Sequence, residues 1–272
     1  MILYLYMIVG VLTGIIVPFT AGSISSAVDG WKIILLIIGF TLGLVILHFL
    51  VAVVVSLFIK KDKEVETLDN GTRKFALLTL DLFLHVLGAK VIVTGKEKLP
   101  KEPFLMVCNH RSLFDAVAAV VHFGKQKLTF VSKKENIKIP FIGRYMVKLG
   151  CLFLDREDTR SAIKTINRAA EMISTGMASV AICPEGTRNR TEELLLPFHA
   201  GSYKAAQKAK CPVAVVSIWG TERLKKRILF KRTKINIDVV DVIDAEKVQE
   251  LRSNELADMT RDIMLVNLER YI

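Results

Sequence analysis

Two long apolar stretches open the chain. Residues 2–19 and residues 33–59 contain no Asp, Glu, Lys or Arg. With a rise of about 1.5 Å per residue, a helix of the first stretch would just cross a hydrocarbon layer of roughly 30 Å, and the second would exceed it. We therefore predict a membrane-embedded helical hairpin over residues 1–60. A cleaved signal peptide is the alternative for the first stretch, but no basic residue precedes it.

Small residues and flanking charges predict how the hairpin packs and how it is oriented. Each stretch has two glycines four positions apart, which would lie at similar depths and let the two backbones approach closely. These glycines are Gly10, Gly14, Gly39 and Gly43. Lys60, Lys61 and Lys63 directly follow the second stretch. Since positive charge stays on the cytoplasmic side, we expect a cell-membrane protein with residues 61–272 in the cytoplasm.

Beyond the hairpin the pattern changes to short apolar runs separated by amphipathic segments. A polar linker, residues 60–74, precedes an amphipathic helix, residues 75–87, that would lie on the membrane or pack on the domain. The predicted strands are 90–94, 103–108, 128–132, 151–154, 178–183, 213–219 and 234–243, and the predicted helices are 115–123, 159–175, 200–209 and 254–270. Strands that alternate with helices predict an α/β fold with a mixed, largely parallel sheet flanked by helices.

A polar cluster follows the second predicted strand and contains Asn109, His110 and Asp115. At a strand-to-helix junction the Asp115 carboxylate can fix the tautomer of His110 and stabilise its imidazolium, so that the other ring nitrogen accepts a proton. These residues could therefore form a general base. Helix capping is the structural alternative, because Ser112 and Asp115 fit the S-x-x-D pattern. Capping leaves Asn109 and His110 without a role.

Two further clusters follow strands, and each ends in an arginine. Residues 184–188 read Pro-Glu-Gly-Thr-Arg, in which Gly186 lets the backbone approach a ligand and Arg188 offers a planar fork of donors suited to phosphate. Residues 150–156 end in Arg156. Alone, each could be a turn followed by a solvated charge. Together with the predicted base, they indicate a catalytic site that binds a phosphate group.

Composition narrows the possible partners. The chain of 272 residues has a formal net charge of +11. Beside a membrane this charge favours anionic lipid, where each basic residue near the surface contributes about 1 kcal/mol. Nucleic-acid binding is disfavoured, because the chain has no basic stripe with exposed aromatics and no zinc-finger spacing. The cysteines form no C-x-x-C motif, so we expect reduced thiols and no metal site. They are Cys108, Cys151, Cys183 and Cys211.

The three clusters resemble, in residues, order and spacing, the first three motifs of the glycerolipid acyltransferase family. The matching residues are Asn109, His110, Asp115, Gly150, Phe153, Arg156, Glu185, Gly186, Thr187 and Arg188. Residues 213–218, preceded by Pro212, are similar to the fourth motif, and the likeness covers roughly residues 75–245. Cys183 departs from the pattern, since an aromatic residue often precedes the third motif in this family.

The resemblance implies a membrane-bound 1-acyl-sn-glycerol-3-phosphate O-acyltransferase of phospholipid biosynthesis. Such an enzyme moves a fatty acyl group from acyl-CoA or acyl carrier protein to the 2-hydroxyl of lysophosphatidic acid and forms phosphatidic acid. It needs no cofactor besides this co-substrate, and no metal. His110 would be the base and Asp115 would orient it. Arg156 and Arg188 would bind the acceptor phosphate.

The remaining motif residues are expected to support this site, and alternatives stay open. The supporting residues are Asn109, Glu185, Gly186 and Thr187. Asn109 would support the His110 loop, and Glu185 would hold the arginines or the backbone around Gly186. Backbone amides near the start of the helix predicted at 115–123 would hold the oxyanion. The acceptor could instead be glycerol 3-phosphate, another lysophospholipid or an amino-lipid. A thioesterase and a non-catalytic lipid-binding protein are the rival functions, but binding alone needs no base.

Overall fold

The chain opens with two packed helices. The computed structural model describes residues 2–20, 30–60, 68, 71–155, 157–226 and 232–272. Helix α1 (Ile2–Thr20) packs against α2 (Gly30–Leu57), as the apolar stretches predict. Among the described helices, α2 alone has the length and apolar composition of a membrane span, and the apolar part of α1 is shorter.

The predicted glycine contact is correct for one helix of the pair only. A side chain added at Gly10 would collide with Thr41, and one added at Gly14 would collide with Ile37. The two glycines of α1 therefore allow the close approach of α2. The prediction is wrong for α2, whose glycines have no neighbouring atom within 4 Å of an added Cβ. These are Gly39 and Gly43. The face of α2 that meets α1 carries Ile37 and Thr41 instead.

One sheet forms the centre of the rest of the described chain. Its strands are β1 (Ala89–Thr94), β2 (Leu105–Cys108), β3 (Thr129–Lys133), β4 (Leu152–Leu154), β5 (Val180–Ile182), β6 (Val213–Trp219) and β7 (Thr233–Ile243). Their order is β1-β7-β6-β2-β5-β3-β4. Only β6 and β7 pair antiparallel. The predicted mixed, largely parallel sheet is confirmed, and each predicted strand is present.

Helices cover both faces of this sheet. They are α3 (Gly71–Val86), α4 (Phe114–His122), α5 (Ile142–Lys148), α6 (Thr159–Ser174), α7 (Lys204–Ala209), α8 (Ala245–Glu250) and α9 (Ser253–Leu268). The four helices predicted after the second strand are confirmed, although a 3₁₀ turn occupies the first part of the one predicted at 200–209. Sequence reasoning missed α5 and α8, because helices of seven and six residues are too short to show a periodic apolar face.

The linker between the helical pair and the sheet domain is shorter than the predicted residues 60–74, because part of that range packs in the domain. Helix α3 begins at Gly71, inside the predicted linker, and packs on the domain against α4. Leu68, only 2% exposed, belongs to the core and lies against Gly150. Residues 61–67 and 69–70 lie outside the described part, as do Lys61 and Lys63 of the predicted orientation signal.

Burial on both faces explains the continuous apolar runs of the central strands. In β2, Leu105 and Val107 point into a core beneath α6, α7 and α9, and Met106 and Cys108 point into a second core beneath α3 and α4. A strand buried on both sides needs apolar residues at every position. Since β2, β4, β5 and β6 run parallel, their carboxyl ends meet at one edge of the sheet. The three polar clusters follow strands that end at this edge.

Candidate active site

The ring of His110 is bonded to a buried carboxylate. His110 follows β2, and its Nδ1 atom lies 2.9 Å from Oδ2 of Asp115, in the first turn of α4. The Asp115 side chain is 1% exposed and that of His110 is 19% exposed. An ionised carboxylate only accepts, so Nδ1 carries a hydrogen, and in the neutral ring Nε2 is the nitrogen with the lone pair. Nε2 makes no hydrogen bond with the described residues.

Asp115 also organises the turn that joins β2 to α4. Its Oδ2 atom accepts the amide hydrogens of Arg111 and Ser112, at 2.8 and 2.7 Å. The second of these bonds is one of the two that the S-x-x-D capping box requires. The box is incomplete, because the Ser112 hydroxyl accepts from the N–H of Phe114 and the helix begins after Leu113. The other oxygen of Asp115, Oδ1, accepts a hydrogen bond from the hydroxyl of Thr221, a fully buried residue after β6. Sequence reasoning missed Thr221, because no motif marks it.

The backbone of His110 is held on both sides. Its N–H donates to Oε1 of Glu185 at 2.6 Å, and its carbonyl accepts from the backbone N–H of Asn189 at 2.6 Å. Glu185 also accepts from the N–H of Leu196 at 3.0 Å, so its carboxylate joins the loop after β5 to the loop after β2. Glu185 was expected to hold the arginines or the backbone around Gly186. In the structure, Glu185 instead accepts a hydrogen bond from the backbone N–H of His110, the predicted base.

Asn109 fastens the same loop to the neighbouring strand. Its side-chain amide donates to the carbonyl of Ile218 at 2.9 Å and accepts from the N–H of Ile218 at 2.7 Å. Asn109 is fully buried, so the two bonds satisfy polar groups that water does not reach. The structure thus places Asn109 where it supports the His110 loop.

The surroundings of His110 alter the pKa of its ring. Burial is the largest single influence and lowers this pKa, but the acidic neighbours Cys183, Asp115 and Glu185 together outweigh burial and raise it to about 9. The pKa of the Cys183 thiol is itself raised well above its ordinary value, by a hydrogen bond with Cys108 and by burial. Because that thiol is uncharged near neutral pH, the carboxylates favour the imidazolium there. The fraction of His110 able to accept a proton therefore grows as the pH rises.

The third cluster lies beside His110 but makes different contacts from those expected. Gly186 has a φ of 67°, and an added Cβ would collide with the ring of His199. The glycine is therefore required by the turn and by His199. Thr187 is exposed, and Arg188 is half-buried with no bonded partner in the part of the chain that the structure describes. Arg156 lies outside the described residues, so its predicted position beside Arg188 is untested.

The amides expected to bind an oxyanion are already engaged. Those of Arg111 and Ser112 donate to Asp115, that of Phe114 donates to the hydroxyl of Ser112, and that of Asp115 donates to the carbonyl of Ser112. These four donors are not free for a substrate. The predicted source of oxyanion stabilisation is therefore wrong for them, because the turn itself uses the hydrogens.

Comparison with known proteins identifies the family. A family model described as acyltransferase matches residues 90–219, which contain His110, Asp115 and Glu185. A relative named probable 1-acyl-sn-glycerol-3-phosphate acyltransferase, from Mycoplasma genitalium, is 30% identical over 198 residues, which cover 68% of this chain and 73% of the relative. This chain belongs to the acyltransferase family. The resemblance is thereby confirmed, and the protein is an enzyme that transfers acyl groups.

Two further proteins are similar to this acyltransferase, one in sequence and one in solved structure. A 1-acyl-sn-glycerol-3-phosphate acyltransferase of Saccharomyces cerevisiae is 33% identical over 199 residues, covering 71% of this chain and 65% of the yeast protein. The chain therefore spans just under two thirds of that relative. The crystal structure of the 1-acyl-sn-glycerophosphate acyltransferase of Thermotoga maritima matches with a TM-score of 0.58 and 28% identity, over 73% of this chain and 80% of that one.

Replacing Thr221 with Val tests whether its hydroxyl positions Asp115. The change removes one donor from a buried carboxylate, and we expect the free energy of unfolding to fall by about 1–3 kcal/mol. Because the freed carboxylate can rotate away from His110, kcat should fall roughly tenfold. Chemical denaturation and steady-state assays measure the two effects. Thr221→Ser keeps the hydroxyl and should restore both; a loss of stability with unchanged kcat would mean that Thr221 is only structural.

Proposed function

We propose that this acyltransferase moves a fatty acyl group from a thioester donor, acyl-CoA or acyl carrier protein, to the 2-hydroxyl of lysophosphatidic acid and so forms phosphatidic acid. The observation that carries the proposal is the open Nε2 of His110, whose Nδ1 is bonded to a buried carboxylate. The names of the yeast, Mycoplasma genitalium and Thermotoga maritima relatives support the acceptor.

The reaction follows from the tautomer of His110. Nε2 takes the proton of the acceptor hydroxyl while that oxygen forms a bond to the thioester carbonyl carbon. Asp115 stabilises the imidazolium, since its carboxylate is negative and accepts from Nδ1. The C–S bond then breaks, and the imidazolium returns the proton to the departing sulfur. A thiol is a good leaving group, so the enzyme needs no nucleophile of its own.

The acceptor phosphate would be bound at the carboxyl ends of β4 and β5. Arg188 follows β5 and makes no ion pair with the described residues, so its guanidinium is available to a phosphate. Arg156 follows β4, the strand at the edge of the sheet. Each charge-assisted hydrogen bond to phosphate contributes about 1.5–3 kcal/mol. Two arginines would thus favour a phosphate monoester over a neutral lipid.

The membrane arrangement is part of the proposal. Residues 1–60 would form the membrane-embedded hairpin and residues 61–272 the acyltransferase domain on the cytoplasmic side, facing anionic lipid. Contacts between α2 and α5 support a fixed placement of the two parts. The guanidinium of Arg144 donates to the carbonyls of Leu57 and Ile59, both at 2.9 Å, and the hydroxyl of Tyr145 donates to that of Ala52 at 2.6 Å. An enzyme held in this way would meet a substrate that resides in the bilayer.

An assay of the purified protein with a panel of acceptors tests the proposal. Radiolabelled acyl-CoA and acyl carrier protein are each incubated with lysophosphatidic acid, glycerol 3-phosphate, lysophosphatidylcholine or no acceptor. We expect labelled phosphatidic acid with the first acceptor. A different labelled product would identify another acceptor. Free fatty acid formed without any acceptor would indicate a thioesterase. No turnover with any acceptor would favour a lipid-binding protein.

Replacing Arg188 with Ala should mainly weaken acceptor binding. Loss of one charge-assisted hydrogen bond predicts a rise of the acceptor KM by about tenfold or more, with little change in the donor KM. Arg190, an exposed neighbour, offers a control in which Arg190→Ala removes the same charge. Initial rates over a matrix of both substrates give the two constants. An unchanged acceptor KM in a folded Arg188→Ala protein would assign Arg188 to structure.

A further inference from the structure

Two arginines outside the predicted acceptor site meet at one indole ring. The guanidinium carbon of Arg111 lies 5.8 Å from the ring centroid of Trp219, and that of Arg223 lies 5.5 Å from it. The ring is fixed, because Tyr271 stacks on it at 5.9 Å and Tyr271 in turn donates to the carboxylate of Asp238. The structure therefore holds two cations around a rigid aromatic surface, here called the Trp219 cluster.

The Trp219 cluster is built from the same short segments as the predicted base. Arg111 directly follows His110, and its amide donates to Asp115. Trp219 ends β6, two residues before Thr221, whose hydroxyl also donates to Asp115. The cluster thus stands at the carboxyl end of β6, whereas Arg188 follows β5. The site has a second cationic side that the proposed acceptor contacts do not use.

The charge of the cluster is poorly compensated. The guanidinium of Arg111 donates to the backbone carbonyls of Glu193 and Thr191, at 3.0 and 3.4 Å, and its Nε atom is buried with no hydrogen-bond partner among the described residues. Arg223 has an ion pair with Glu222, its neighbour in sequence, at 3.5 Å, and both side chains are partly in solvent. Such a pair contributes little. Two guanidinium groups beside one ring attract an anion, because their mutual repulsion then falls.

We propose that the Trp219 cluster binds the phosphate of the acyl donor's phosphopantetheine arm. The inference rests on the proposed function in that the donor is a phosphopantetheine thioester. Acyl-CoA and acyl carrier protein share this arm, whose phosphate is separated from the sulfur by a long, partly apolar chain. A donor with its carbonyl at His110 therefore needs a phosphate site away from the acceptor's. Guanidinium groups match phosphate geometry, and the indole offers the chain an apolar surface.

Replacing Arg223 with Gln tests the assignment with three donors of equal acyl chain: acyl-CoA, acyl-phosphopantetheine and acyl-pantetheine, which lacks the phosphate. The Arg223 side chain is 58% exposed, so the variant should fold. We expect the KM of the two phosphate-bearing donors to rise roughly tenfold, with the KM of acyl-pantetheine and of the acceptor unchanged. Lys225→Gln removes the same charge from an exposed position of the same turn and should leave all constants unchanged.

Two outcomes would overturn the inference. An equal rise for acyl-pantetheine would mean that Arg223 acts on the fold or on the pantetheine chain, and a rise of the acceptor KM would make the cluster part of the acceptor site. Arg111→Gln provides a second variant of the same cluster and should act on the same two donors. Calorimetric binding of a non-reactive thioether analogue of acyl-CoA needs no acceptor. Loss of the donor site would therefore weaken this binding, whereas a wrong choice of acceptor would leave it unchanged.

Discussion

Replacing His110 with Ala is expected to lower kcat by roughly 100- to 10,000-fold, the range by which a positioned acid–base group accelerates a reaction. The physical reason is the open Nε2 atom, the proposed proton acceptor, whose position is fixed by the bond between Nδ1 and Asp115. The backbone bonds of His110 to Glu185 and Asn189 do not involve the ring. The loop should therefore keep its position when the imidazole is removed.

Single-turnover and steady-state rates measure this loss, and thermal unfolding checks that the variant is folded. His122 lies at the other end of α4, and among the described residues its ring bonds only to the carbonyl of Ala118, so His122→Ala is a matched control with near-normal activity expected. If His110→Ala retained normal acyl transfer while folded, another group would have to be the base.

Replacing Asp115 with Asn should lower kcat roughly 100- to 1,000-fold, the second largest effect. Asn can keep an oxygen where Oδ2 accepts from His110, Arg111 and Ser112. Its NH₂ group can then donate to the hydroxyl of Thr221 in place of the bond that Oδ1 accepts. The turn is thus preserved and the negative charge is lost, so the imidazolium formed during proton transfer is no longer stabilised. Asp262→Asn, on the exposed face of α9, is the charge-matched control.

The pH profile separates loss of charge from loss of structure. In the wild-type enzyme the pKa of His110 is raised to about 9, so kcat/KM should increase with pH and level off near that value, as the ring loses its proton. Asp115→Asn removes the carboxylate charge that raises the pKa of His110, so this pKa should fall. The rising limb of Asp115→Asn should therefore move to lower pH. If kcat/KM of Asp115→Asn rose over the same pH range as in the wild type, Asp115 would not be the group that favours the imidazolium of His110.

Both predictions rest on a base that is held from three directions. The ring is bonded to Asp115, the N–H to Glu185 and the carbonyl to the N–H of Asn189. A base fixed in this way loses little freedom when the substrate binds, which lowers the barrier to proton transfer. The half-buried Arg188 and Arg111 side chains have no carboxylate partner in the described structure, so both guanidinium groups are available to the proposed anionic substrates.

Local patterns predicted most of the fold and the first cluster. The central strands β2, β5 and β6 are continuous apolar runs, and burial on both faces imposes such a run. The bond between His110 and Asp115 was equally predictable, because the two residues are only five positions apart, in one turn. Elements of six or seven residues, such as α8 and α5, were missed because they contain too little periodicity.

Contacts between distant segments could not be read from the sequence. Thr221 is 106 positions from Asp115, and no local signal distinguishes it from other threonines. No sequence motif includes Asn189, yet its backbone N–H donates to the carbonyl of His110. The glycines of α2 follow the same spacing as those of α1 but face away, because the rotation of a helix about its axis is decided by what packs against it.

By itself, the sequence determined the apolar N-terminal helices, the succession of strands and helices along the chain, and which residues are candidates for acid–base and phosphate chemistry. These properties depend on neighbours along the chain, through hydrophobic periodicity and the reach of one side chain across a turn. The tertiary structure decided which oxygen of Asp115 meets which donor, that Glu185 holds the base and not an arginine, and that Arg111 and Arg223 share one indole. These contacts depend on how the sheet brings the ends of β2, β5 and β6 together. No single segment of the sequence specifies the order of the strands within the sheet.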